Sequence, residues 1–362
     1  MNKQEKIKNF DPSQPGLSDQ SIFGLPFTAE ESEIIIIPVP WEVTVSYGAG
    51  ASDGPKAILE AASQVDLDHQ EFPELWKLGI FLDLNDQTMK WGHDSVTYKA
   101  LAQTIIEALG NGEVIKDRPD LQLNLDQINK VCRELNEQVK ERVVYWAKMG
   151  KKVVLLGGDH STPLGYYEAL ATLHDDFGIL HLDAHMDLRN AYEGFTYSHA
   201  SIMYNALQLP QISKIVQVGI RDFCKQEVET VFEAGQRVIV HTDMDLKAEA
   251  YRGISWHQQC EQIIAALPLK VTISFDIDGL YSWYCPNTGT PVPGGLSFEQ
   301  AAYLLLQLAD SGKEIIGFDL VEVAPGADDW DGNVGARMLY HMCGVLAKNN
   351  GLAVGQKINF NR

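Results

Sequence analysis

No two cysteines stand at C-x-x-C spacing. The five present (Cys132, Cys224, Cys260, Cys285, Cys343) are scattered along 362 residues, an odd and unpatterned set that suggests neither a zinc ribbon nor a disulfide framework. Basic residues are scarce, with Lys+Arg 29 against Asp+Glu 49 and a net charge of −20. Nucleic acids and anionic membranes are met by basic faces, so neither is expected as a partner. A small cationic substrate is compatible with this balance. No apolar run approaches the roughly 20 residues of a membrane span. The opening MNKQEKIKNFDPSQPG holds no apolar stretch of the signal-peptide kind, so a soluble, cytoplasmic protein is expected. There is no internal repeat. Gly48, Gly50 and Gly54 miss the G-x-G-x-x-G of a dinucleotide loop because position 53 is Asp53, so a turn is expected there.

What remains is an ordinary globular composition, 45% hydrophobic and 22% charged, on a chain long enough for one large domain or two smaller ones. Residues 1–32 are polar, with Pro12, Pro15 and Gly16, and read as an N-terminal arm that packs elsewhere or stays loose. Eight short β-branched runs follow: Ile34–Val39, Leu78–Leu84, Val153–Gly157, Gly178–Asp183, Lys214–Gly219, Arg237–His241, Val271–Asp276 and Ile315–Val321. Near-continuous apolar runs of this length fit strands buried on both faces. Helical spacing fills Pro55–Ala62, Leu125–Lys148, Thr162–Leu173, Ile254–Leu267 and Phe298–Leu308. Pro55 and Pro163 sit near helix starts and Ser297 is a fitting N-cap. Residues 85–124 break the alternation and read as an elaboration with one helix. The expectation is an α/β fold of about eight parallel strands with helices on both faces, in a single domain over residues 33–362.

In such sheets ligands bind beyond the carboxyl ends of the strands. Three strands end in chemistry there: Gly157-Gly158-Asp159-His160-Ser161, Asp183-Ala184-His185-Met186-Asp187 and Asp276-Ile277-Asp278. Residues i and i+2 of a strand share a face, so Asp183 converges with His185, and Asp276 with Asp278. Four carboxylates and two imidazoles exceed the needs of one tetrahedral ion and suit two adjacent divalent cations. The absence of thiolate favours Mn²⁺, Ni²⁺ or Fe²⁺ over structural Zn²⁺. Crowded carboxylates repel one another unless cations neutralise them, which is a further argument for metal.

The segments GGDHS, DAHMD, SHAS (Ser198–Ser201) and SFDIDG (Ser274–Gly279) resemble, in order, the signatures of the ureohydrolase superfamily of arginases, agmatinases and formiminoglutamases, over roughly residues 33–350. The resemblance implies an arginase-like three-layer fold and a dinuclear Mn²⁺ or Ni²⁺ centre that hydrolyses a guanidino group. It implies one ion on His160, Asp183, Asp187 and Asp276 and a second on His185, Asp183, Asp276 and Asp278, with Asp183 and Asp276 bridging. It also implies that a hydroxide between the ions attacks the guanidinium carbon, steered by Asp187. His199 matches the loop histidine that shuttles a proton to the leaving amine, and Glu322 the carboxylate that pairs with the guanidinium. A homo-oligomer, trimer or hexamer, is likewise implied.

Asp187 to Ala200 resembles the agmatinase-like D-L-R-x-x-Y-x-G-x-x-x-S-H-A pattern, and the opening Val39 to Gly50 resembles a branch that includes guanidine hydrolases, described as nickel-dependent. Agmatine and guanidine are therefore the leading substrates, with arginine, guanidinobutyrate and formiminoglutamate as runners-up. Two other classes stand beside these: a non-catalytic member that keeps the fold, and a single-metal hydrolase of the histone-deacetylase kind, disfavoured by the six-ligand set. One departure is Tyr281-Ser282-Trp283-Tyr284, where relatives carry Asp-Pro. Its aromatics could wall the pocket or simply pack the loop. Tyr192 and Tyr197 read as packing, and His69, His93, His174, His181, His241, His257 and His341 as structural.

Overall fold

A computed structural model describes residues 1–14 and 21–360; Pro15 and Gly16 of the arm lie outside these. In chain order the first elements are α1 (Lys3–Asn9), β1 (Ile34–Val39), α2 (Gly54–Ala62), β2 (Ile80–Leu82), α3 (Asp86–Gly110) and α4 (Pro119–Lys148). The middle comprises β3 (Lys152–Gly157), α5 (Leu164–Leu173), β4 (Phe177–Leu182), α6 (Ile202–Leu207), β5 (Ile212–Ile220), α7 (Lys225–Ala234) and β6 (Val238–Thr242). The last are α8 (Asp243–Tyr251), α9 (Trp256–Ala265), β7 (Lys270–Asp276), α10 (Phe298–Asp310), β8 (Glu314–Val321) and α11 (Trp330–Asn349).

All eight strands pair in parallel in the order β2-β1-β3-β8-β7-β4-β5-β6. Pro38 lies inside β1, where a missing N–H is tolerated only if it faces no partner. Pairing with β2 ends at Ile36, and Asp83 N donates to Ile36 O on that side. Two residues on, Pro38 turns its nitrogen to the same, now vacant, side, while its neighbour across β3 is Leu156.

Two cores cover the sheet. Ile58 of α2, Ile263 of α9, Leu304 of α10 and Leu339 of α11 pack on one face, and Ile105 of α3, Val139 of α4, Tyr166 of α5 and Ile202 of α6 on the other. The architecture is the three-layer α/β fold expected. Residues 85–124 do hold a helix, α3, started by Asn85, whose side chain accepts Gln87 N and Thr88 N. Within the polar arm, Ile22, Phe23, Leu25 and Phe27 are buried in the chain's own core rather than loose. No helix among the described residues is long and apolar enough to cross a membrane.

Candidate metal centre

The carboxyl ends of β3, β4, β7 and β8 meet at the middle of the sheet. After β3 the chain turns through Gly158, where a Cβ would lie 2.1 Å from Trp41 O, so only glycine lets the turn pass that close. His160 follows, buried. Its Nδ1 lies 3.0 Å from Asp183 Oδ2, 3.1 Å from Asp187 Oδ2 and 3.2 Å from Asp276 Oδ2. Across the site His185 Nδ1 lies 3.1 Å from Asp278 Oδ2 and 3.4 Å from Asp183 Oδ1. Asp183 therefore turns one oxygen to each histidine. Its neighbours are tethered on one oxygen and free on the other. Asp276 Oδ1 accepts Asp278 N (2.8 Å) and Asp278 Oδ1 accepts Ala184 N (2.9 Å), leaving each Oδ2 to the shared space.

The donor set fits divalent cations. His160 Nε2 lies 2.9 Å from Ser274 Oγ, which itself donates to Asp319 Oδ1 at 2.9 Å. Tyr167 OH also donates to Asp319 Oδ2. The serine hydrogen is spent on Asp319, so Ser274 accepts from His160 Nε2–H and Nδ1 keeps a bare lone pair. That nitrogen is buried without a hydrogen-bond partner, although three carboxylate oxygens surround it. A lone pair among anions calls for a cation between them. Without one, protons are drawn in instead. Burial, then the neighbouring Asp278 and Asp183, hold Asp276 well above the usual carboxylate range. Burial and Asp183 push Asp187 up to about 7. For His160 and His185 burial acts downward, yet the surrounding carboxylates prevail and hold both rings protonated well above neutrality.

His181, read from the sequence as structural, stands among the possible ligands, with donor atoms of His160, His181, Asp183 and Asp187 within 4.8 Å of one another. Its Nδ1 accepts from Gln217 Nε2 at 2.9 Å, so Nε2 carries the hydrogen and donates to Asp183 Oδ2 at 2.7 Å. A protonated nitrogen cannot ligate, so His181 aims Asp183. Its signal was present in the sequence: it lies two residues before Asp183 on the same strand.

A cavity of about 470 Å³ opens outward from His185, Asp187 and His199 past Arg189, Tyr192, Ser46, Tyr47, Asp222, Phe223 and residues 290–292. His199 Nδ1 is buried and unpartnered, and its ring meets Tyr192 edge-on at 6.4 Å. Burial above all, then the nearby histidines, pulls its pKa to about 4, so the ring is neutral. Its segment is tied to Asp187: Arg189 N donates to Ala200 O, and Met203 N to Asp187 O.

Glu322 follows β8 directly, beneath Gly289, and does not line that outer cavity. Its Oε1 accepts His160 N at 2.8 Å, and Oε2 faces the place where a Gly289 Cβ would be. Burial and Asp159 hold its carboxyl well above the usual range. Asp187 and Glu322 both carry positive φ, 54° and 63°, strained conformations that non-glycine residues keep where surroundings demand them.

Tyr281 stacks on Trp283 at 4.3 Å on the outside, beneath Lys247, and neither lines the cavity. The aromatic loop is packing, and the mouth is lined instead by Ser46 and Tyr47 of the segment after β1, with Phe223 and residues 290–292. Glu42 organises that segment. Buried, it accepts Gly50 N and Ser52 N and pairs with Lys99 of α3. Gly48 presses on Gly289 so closely that a Cβ would meet Gly289 O at 2.3 Å, which is a turn contact and not a nucleotide loop.

The model of the arginase family matches residues 32–344. N(1)-aminopropylagmatine ureohydrolase of Thermus thermophilus is 30% identical over 316 residues, 87% of this chain and 91% of that protein. Agmatinase of Bacillus anthracis is 28% identical, over 83% of this chain and 87% of its own. Among solved structures, agmatine ureohydrolase of Thermoplasma volcanium aligns with a TM-score of 0.68 at 22% identity, over 96% of this chain and 99% of its own. Formiminoglutamase of Trypanosoma cruzi with Mn²⁺ gives 0.68 at 16% identity, over 91% and 99%. These structural likenesses speak for the fold, while the family match spans the whole sheet and both halves of the His/Asp cluster. The chain belongs to the arginase family of dinuclear metal enzymes and is a ureohydrolase-type hydrolase of amidino C–N bonds.

Proposed function

We propose that this protein hydrolyses a C–N bond of a small cationic guanidino compound, agmatine or guanidine in first place, releasing urea with an amine or ammonia. The observation that carries the reading is Asp183, buried between two histidines with one oxygen turned to each. In this reading His160, Asp183, Asp187 and Asp276 hold one Mn²⁺ or Ni²⁺, and His185, Asp183, Asp276 and Asp278 the other. Bound there, such a pair supplies Lewis acidity and brings the acidity of water toward neutral pH.

The chain's own groups do the rest. Glu322 Oε2, the oxygen not engaged by His160 N, receives guanidinium N–H groups, and the arriving cation favours its ionised form. Asp187 orients the attacking water by hydrogen bond. His199, neutral within its pocket, takes up a proton at a ring nitrogen and passes it to the leaving amine. Relatives named agmatinase and N(1)-aminopropylagmatine ureohydrolase support amine-tailed guanidines among the substrates. We place the enzyme in the cytoplasm as a homo-oligomer, a trimer or hexamer, with no nucleic-acid or membrane partner.

The test is urea release from protein loaded separately with Mn²⁺ and Ni²⁺, across guanidine, agmatine, arginine and guanidinobutyrate. Turnover of guanidine or agmatine above the others is expected. Urea from none of them, in a protein that holds metal, would overturn the reading in favour of a non-catalytic member or a formimino substrate.

A further inference from the structure

Behind the His185 side of the centre one side chain joins the end of β5, the turn 277–280 after β7 and the mouth segment 290–292. Strand β5 carries an extra residue near its end, because Val218 faces His241 and Ile220 faces Thr242 across β6. That residue is Gly219, at φ 96°. Such a bulge bends the strand and re-aims the side chains that follow. Here it turns Arg221, the first residue past β5, inward. The Arg221 guanidinium is spent on main-chain carbonyls. Nη1 donates to Gly219 O at 3.0 Å, and Nη2 to Asp278 O at 2.6 Å and Leu280 O at 3.2 Å. Nε and Nη2 both reach Val292 O, at 3.3 and 3.1 Å. A rigid planar fork can meet carbonyls in several directions at once, which an ammonium on a flexible stem does not match.

The same residue reaches Asp278 by a second route. Arg221 N donates to Ala184 O at 2.8 Å, and Ala184 N donates to Asp278 Oδ1 at 2.9 Å. Asp278 is thus held at its carbonyl by the guanidinium and at its carboxylate through Ala184. What these tethers leave over is Oδ2, 3.1 Å from His185 Nδ1. The other half of the centre is supported differently. His160 Nε2 meets Ser274 Oγ and His160 N donates to Glu322 Oε1, and neither bond involves Arg221. At its outer end Arg221 holds Val292, which lines the cavity mouth with Thr290 and Pro291.

We infer that Arg221 is a positioning residue that holds the His185–Asp278 half of the metal centre and ties the cavity mouth to it. The inference rests on the two-ion reading above and goes beyond it, because it makes the two ions unequal in what supports them. Without the guanidinium, Asp278 O, Leu280 O and Val292 O lose their shared donor. The bonds that aim His160 stay in place. The second ion and the mouth are therefore loosened together, and the first ion is left as it was.

The experiment titrates metal-free protein with Mn²⁺ and, separately, Ni²⁺ by calorimetry, with metal content per chain as a cross-check. The wild type should take up two ions. Arg221→Met, which keeps the side chain's bulk and loses its donors, should bind the first ion as the wild type does. Its second ion should bind about 10- to 100-fold more weakly, the usual effect of removing the support behind a ligand. Arg221→Lys should fall between. His185→Ala identifies the site affected, since its one remaining ion should match the tight ion of Arg221→Met. Amide hydrogen exchange over residues 290–296 should quicken in Arg221→Met. Equal weakening of both ions, an unchanged second ion or unchanged exchange would each overturn the inference. Should the methionine variant fail to fold, a second-ion affinity in Arg221→Lys equal to wild type would overturn it as well. Two ions in the wild type and one weakened in the variant, with urea released from no guanidino compound, would leave it standing and overturn the hydrolase reading instead.

Discussion

His199 is the residue whose surroundings say most about its work. It shares the cavity with His185 and Asp187, yet its ring is held against Tyr192 and its buried Nδ1 has no partner. A proton carrier needs that neutrality; a metal ligand would need to point into the carboxylates. His199→Ala should therefore retain the wild-type metal content and lose about 10²- to 10³-fold in kcat. Metal analysis beside steady-state kinetics separates the two roles, and loss of an ion in the variant would make His199 a ligand. The six clustered Asp and His side chains were readable because two strand ends carry ligand types at i and i+2 and because a third delivers His160 to the same edge of the sheet. What supports them was not readable. Ser274, Asp319 and Tyr167 settle which His160 nitrogen is bare, but they come from β7, β8 and α5, and only the three-dimensional packing brings them together. Glu322 was visible by resemblance, whereas its burial beneath Gly289 was not.

At the level of elements, the strands announced themselves because burial on both faces leaves a near-continuous apolar run. Helix α11 did the opposite. It is enclosed by the sheet, α2 and α10, with residues 334–336 and 338–347 buried, so the polar face that marks an amphipathic helix is missing. On that helix His341 packs against His69 and Phe72, and its Nε2–H donates to Ala302 O. Burial first, then His69, lowers its pKa to about 4. The unfolded chain takes up a proton near pH 6.5 that the folded ring refuses until about 4. Stability from this group is therefore present above pH 6.5 and lost as pH falls toward 4, on the order of 3 kcal/mol in all. His341→Gln, which can still donate to Ala302 O, should flatten the acid limb of urea-midpoint measurements. An unchanged slope would contradict the assignment.

Helix α3 looked from the sequence like an addition to the alternating pattern, and it has a structural duty. Lys99 on α3 pairs with buried Glu42, Ser95 Oγ accepts Glu42 N, and Gln103 donates to Val45 O. Together they brace the segment carrying Ser46 and Tyr47 into the mouth. Lys99→Met leaves a buried carboxylate without its cation and should destabilise the fold by about 1–3 kcal/mol. It should also raise KM more than it lowers kcat, with Lys99→Arg recovering most of both. A stability loss with unchanged KM would show that the brace does not reach the mouth.

Across the whole molecule, a parallel sheet with helices on both faces gathers four strand ends at its middle, and the chemistry lies there. Order and handedness of the strands follow from packing each crossover helix onto one face or the other, and neither can be read from the runs alone. The net charge is −20, but the carboxylates that matter are buried, and their mutual repulsion makes the site a cation trap. The most direct test is metal content per chain after loading, for wild type and for Asp183→Ala. Two divalent ions per chain in the wild type, with both lost from the folded variant, is the predicted result. A single tightly bound ion in the wild type, or two ions retained by Asp183→Ala, would contradict the shared-ligand centre on which the account stands.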